Sequence, residues 1–156
     1  MKDLPTLERW PLPARWLATL VLTSYAANHA FACWLVWEVT RNAADSAQEH
    51  FSYKTLAQLL RMAHQHSFGH GTMYFLVGAL FLFAGAGLRT TLILLTLPFL
   101  GAWLDIVSWF GLKYGSARWE WLSIASGAAY SVAFLSMSAL ILKRAWLHRQ
   151  DPSSNP

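Results

Sequence analysis

Long apolar runs alternate along this chain with short charged punctuation. Four of them reach the roughly 20 residues that a helix needs to cross about 30 Å of hydrocarbon: Trp16 to Trp37, Ala63 to Leu88, Thr90 to Leu112 and Trp119 to Leu142. Each run is bounded by charge, in order Arg15 and Glu38, Arg61 and Arg89, Arg89 and Lys113, and Glu120 and Lys143. The pattern predicts an all-α fold, an integral membrane antiparallel four-helix bundle with spans of about 16–37, 63–88, 90–112 and 119–142. Residues 1–15 become a cytoplasmic N-terminal segment and residues 143–156 a cytoplasmic basic tail.

The first run has a rival interpretation, because a basic start followed by Ala30-Phe31-Ala32 resembles a signal peptide and its cleavage site. The apolar stretch continues past Ala32 to Trp37, which favours a span. Ahead of the second run, Leu56, Leu59, Leu60 and Ala63 recur at helical spacing among Lys54, Gln58 and Arg61. That predicts an amphipathic turn or two, either lying in the interface or extending the second helix. Small residues mark expected helix contacts: Gly71, Gly78 and Gly85 in the second span, and Ser123, Gly127 and Ser131 in the fourth.

Composition points to the same solvent. Hydrophobic residues make up 55% of the chain and charged residues 13%, where a soluble domain carries about a quarter charged. The net charge of +4 does not imply a nucleic-acid partner, because the basic residues cap apolar runs and form no stripe. Interfacial tryptophans divide into Trp10, Trp16 and Trp146 on one surface and Trp34, Trp37, Trp109, Trp119 and Trp121 on the other, with Trp103 in mid-span. Of the 12 Lys and Arg, seven fall on the side of the termini, which orients both termini to the cytoplasm. The single cysteine, Cys33, forms no intramolecular disulfide.

Against this background the ionisable residues inside the spans carry the chemical information, since each is costly in lipid. His29, His70 and Asp105 fall about 4, 8 and 6 Å to the non-cytoplasmic side of mid-membrane at a rise of about 1.5 Å per residue. Tyr130 and Ser126 supply hydroxyls at matching height, His66 lies one turn above His70, and His64 is interfacial. Helical phase puts Met62, His66, Gly69, His70, Met73 and Val77 on one stripe, Pro98, Ala102, Asp105 and Trp109 on another, and Tyr25, His29 and Cys33 on a third.

Three chemistries fit. A b-type haem takes two neutral imidazoles from different helices at equal depth, here His29 and His70, with Gly69 and Gly71 admitting the ring. Phe31, Phe68 and Tyr74 would line it, and Arg61 or Arg118 would meet a propionate. A single copper, zinc or iron ion would use His29, His66, His70 and Asp105. A metal-free site would exchange protons with quinol through His66, Asp105 and Tyr130. The expected partners are lipids, further membrane subunits and quinol. The plain alternative is a cofactor-free accessory or assembly subunit in which Asp105 and His29 pair only to fix helix register.

The run from Ala63 to Phe75 resembles the second transmembrane helix of the haem-copper oxidase catalytic subunit. That family carries His-Gly-x-x-Met-x-Phe, matched here by His70, Gly71, Met73 and Phe75 with Met73 one position early. The resemblance implies a haem ligand at His70 and nothing more; the leading expectation from the residues is an electron-transport subunit of a larger oxidoreductase complex, with one b-type haem held by His29 and His70. The whole chain also resembles small bacterial four-helix membrane proteins with a His-x-His element ahead of the second span, seen here as His64-Gln65-His66.

Overall fold

The computed structural model of the chain describes residues 5–42 and 47–147, except for the side chains of residues 36 and 39–42. A 3-10 turn, Leu7–Arg9, leads into α1 (Leu12–Asn42), α2 (Ala47–Ser52), α3 (Leu56–Phe81), α4 (Leu88–Tyr114) and α5 (Trp119–Trp146), with a second 3-10 turn, Leu82–Ala84, ending α3. No strand occurs among the described residues. An all-α chain suits lipid because a helix satisfies its own backbone polar groups.

Three helical segments are long and apolar enough to cross a membrane: Leu56–Ala84, Leu88–Tyr114 and Trp119–Trp146. At 31 residues α1 has the length, but Thr19, Thr23, Ser24, Asn28 and His29 dilute its apolar character. Among the described residues the expected bundle of four helices therefore resolves into five helices, three of them membrane-length and apolar. The additional helix, α2, arises in the polar loop, where no apolar periodicity announced it. Phe51 stacks on Trp109 at 5.9 Å between ring centroids, and Lys113 Nζ donates to the Ser52 carbonyl at 3.0 Å, so α2 lies against the end of α4.

Helix ends follow local chemistry. Thr55 caps α3 with a reciprocal box: its hydroxyl accepts from the Gln58 N–H at 3.2 Å, and the Gln58 side-chain oxygen accepts from the Thr55 N–H at 2.7 Å. The amphipathic stretch from Leu56 to Ala63 thus extends α3 and does not lie flat. At the other end Gly85 takes φ +70, a left-handed conformation that glycine adopts without steric cost, and turns the chain into α4.

The core is formed by α3, α4 and α5, with Tyr74, Val77, Phe81, Phe134, Met137 and Ile141 all essentially inaccessible. Backbones approach most closely between α4 and α5. A Cβ at Gly101 would lie 3.1 Å from the Ser126 carbonyl oxygen, and one at Gly111 would lie 2.1 Å from the Trp119 ring. The small residues expected at helix contacts behave differently from one another. Gly78 meets Leu95 of α4, whereas Gly71 faces open space and Gly85 serves the turn. Ser123 and Ser131 use their hydroxyls, and Gly127 meets only Tyr130 of its own helix.

The described ends of the chain meet. Arg144 donates to both carboxylate oxygens of Glu8, at 2.6 and 2.8 Å, and Arg15 donates to the Ala145 carbonyl at 3.0 Å. The Trp146 indole N–H donates to the Thr19 hydroxyl at 3.0 Å, and Trp16 packs edge-on against Trp146. These contacts fasten the first half of α1, where Ala18 and Leu22 are buried. From Ala26 to Leu35 every side chain except His29 is exposed.

Candidate intramembrane polar site

Below that clamp the four longest helices converge on a polar cluster. The centre of it is Asp105 on α4, 8% exposed, whose Oδ1 accepts from the Ser123 hydroxyl of α5 at 2.5 Å. One turn on, Ser108 donates back to the Asp105 carbonyl at 2.6 Å, the usual way a helical serine buries its hydroxyl. From α3, His66 stands edge-on to Trp109 with centroids 4.8 Å apart and meets His70 one turn away at 5.5 Å. His70 in turn lies 5.2 Å from the Tyr130 ring of α5 and 5.6 Å from Tyr74 of its own helix.

His29 enters from α1 and meets α5. Its Nε2 lies 2.9 Å from the Ser131 hydroxyl, and its ring is 6.1 Å from Tyr130 and 5.8 Å from Phe134. The structure thus brings His66, His70, Asp105 and Tyr130 together around the α3–α4–α5 core and holds His29 at the edge, on Ser131. Among the described residues, no group of three or more His, Cys, Asp or Glu side chains is arranged to hold a metal ion. Cys33 and His64 are both exposed, and neither joins the cluster. Outside the spans, His50 is held below the ordinary imidazole range by burial and by the nearby Lys54 charge.

Two features leave this site accessible. On the inner stripe of α3, His66 and Gly69 are exposed because the second half of α1 does not cover them, and a Cβ at Gly69 would meet nothing within 4 Å. Between α3 and α4 there is a cavity of about 30 Å³ lined by residues that include Ser67, His70, Tyr74, Phe99 and Trp103. Phe99 and Trp103 are exposed, so its outer wall faces the surrounding lipid.

Sequence reasoning did not assign the partners of these residues. Ser123 and Ser131 stood out as small contact residues, yet each supplies a hydroxyl to a buried or half-buried ionisable group. Their signal was height, since both fall within a few residues of Ser126 and Tyr130. Tyr74 was expected only as a ring wall, whereas it is 1% exposed with a hydroxyl that has no partner.

Residues 38–152 match a protein family described as a transmembrane helical domain. The matched stretch takes in α2 to α5, with His66, His70, Asp105 and Tyr130, and leaves His29 and most of α1 outside. No curated protein and no solved structure matches the chain. The comparisons show no oxidase likeness.

Proposed function

We propose that this chain, which belongs to the Aq_1264_TM family of transmembrane helical domains, is a small integral membrane subunit of a redox complex whose His66–His70–Asp105–Tyr130 cluster exchanges protons with a quinol head group. The observation that carries this reading is the convergence of two imidazoles, a buried carboxylate and a phenol from three apolar helices. Intramembrane ionisable groups are expensive, and sets of them characterise proton relays. Oxidation of a quinol releases two protons as two electrons leave. One proton would go to a neutral imidazole and the other to the Asp105 carboxylate close by. The electrons would pass to a partner subunit. Four crossings, with α1 as the first, would keep both termini on the cytoplasmic side of a bacterial inner membrane, in keeping with the bias of Lys and Arg.

A short-chain quinol added to the purified protein should quench tryptophan fluorescence saturably, with Trp103 and Trp109 beside the cluster as reporters. Asp105→Asn should weaken that binding while leaving far-UV circular dichroism unchanged. Non-saturable quenching, identical in both proteins, would overturn the reading.

One observation favours a second reading, a b-type haem between His29 and His70. The space beside Gly69 is open, and the facing half of α1 is uncovered, as a planar group standing there requires. His29 would then exchange its Ser131 contact for iron. A reduced-minus-oxidised spectrum of protein purified after growth with a haem precursor decides it, since a Soret and α-band change supports haem and a flat spectrum removes it.

A further inference from the structure

Buried polar atoms rarely go without a hydrogen bond, and two of this protein's exceptions belong to residues of one cavity. The His70 Nδ1 and Tyr74 Oη atoms are both buried without a protein partner, and both residues line the cavity between α3 and α4. They are four apart on α3, so they share a face, and their ring centroids are 5.6 Å apart. A cavity of about 30 Å³ exceeds what one water needs, roughly 10–15 Å³ of accessible space. Ser67, one turn before His70, adds a second hydroxyl to the wall. Phe99, Ala102 and Ile106 add apolar side chains to the lining, which offer these atoms nothing.

We infer that this cavity is a water site, in which one ordered water molecule links His70 Nδ1 to the Tyr74 hydroxyl. The inference deepens the proton-handling reading and rests on it for its purpose: the water is the point at which a proton reaches or leaves His70 on the α3–α4 side. It is thereby separated from the open α1 side, where His66 and Gly69 are exposed. Without the water, two polar atoms would stay desolvated in an apolar interior.

The test uses the full chain in lipid bilayers with ¹⁵N-labelled histidine and water-edited solid-state NMR. Magnetisation should pass from water to His70 Nδ1 at short mixing times, and Tyr74→Phe should abolish that transfer. Hydroxyl-radical footprinting of the unmodified protein gives a second measurement that needs no variant. Tyr74 should be labelled, while Phe134, equally buried at 1% exposure, stays unlabelled. Absence of both the water transfer and the Tyr74 label, or transfer undiminished in Tyr74→Phe, overturns the inference. Saturable quinol quenching in a protein that shows neither signal would leave the proton-handling reading standing and remove only the water.

Discussion

Replacing Ser123 with alanine strips the buried Asp105 carboxylate of its interhelical donor. At 2.5 Å the Ser123–Asp105 bond falls in the range of a charge-assisted hydroxyl–carboxylate contact. In a soluble core such bonds contribute about 1.5–3 kcal/mol, but interhelical bonds in membranes average nearer 0.6 and reach about 1.7 because the unfolded helix finds other partners. Asp105 is 8% exposed and has little access to such substitutes while folded, so the expected cost of Ser123→Ala is about 1–2 kcal/mol. The contrast with Asp105→Leu sharpens the argument. Removing the carboxylate as well removes the group left short of a donor, so the double variant should recover most of the loss. Equilibrium unfolding from dodecyl maltoside into SDS, followed by circular dichroism, gives the cycle. A coupling below about 0.3 kcal/mol, the scatter expected of independent sites, would refute the claim that this bond ties α4 to α5.

Three further outcomes follow from single contacts. At Glu8, burial alone raises the carboxyl pKa, but hydrogen bonds from Thr6 and Arg144 and the Arg144 charge outweigh it and hold the group below the usual value of 4.5. Its stabilising contribution is therefore full above that value and is lost as pH falls through the lower folded one. Thermal melting should weaken from pH 7 to pH 3, and Glu8→Gln should flatten that dependence. Gly111→Ala places a methyl carbon 2.1 Å from the Trp119 ring, and overpacking of that kind should cost about 1–3 kcal/mol, read as a lower unfolding midpoint. Thr55→Ala removes one half of the α3 capping box and should cost about 1 kcal/mol in the same assay.

Much of this architecture is written in one-dimensional patterns. The apolar runs give α3, α4 and α5 because lipid demands length and low charge, both visible residue by residue. The 3.6-residue period also puts His66 and His70 on one face of α3, where the structure has them at 5.5 Å. Asp105 pairs with Ser123, and His29 with Ser131, because of how helices rotate about their axes, which no single helix encodes. That is why the expected His29–Asp105 pair is replaced by two separate serine contacts. Helix α2 escaped detection for a related reason: Phe51 gains its place by stacking on Trp109, a tertiary contact across more than fifty residues of chain. The small-residue repeat overreached, since glycine at Gly71 meets nothing and at Gly85 makes a turn.

The two halves of α1 are held by different means, and the difference can be measured. Near its start the Glu8–Arg144 ion pair, the Arg15–Ala145 bond and the Trp146–Thr19 bond fix it to the end of α5. From Ala26 to Leu35 only His29 is partly buried, through its contact with Ser131. A single polar contact between membrane helices contributes about 0.6–1.7 kcal/mol, so its loss shifts a local equilibrium about 3- to 20-fold without unfolding the chain. Cys33, one turn beyond His29 and exposed, takes a spin label with no other cysteine to compete. His29→Ala should make that label more mobile and broaden its distance to a second label introduced on α5. His29→Ala in a chain that also carries Ser131→Ala should add nothing, because both changes break one bond. Identical spectra with and without the histidine would show that the second half of α1 is held by something other than His29, and the open side of the polar cluster would then have to be redrawn.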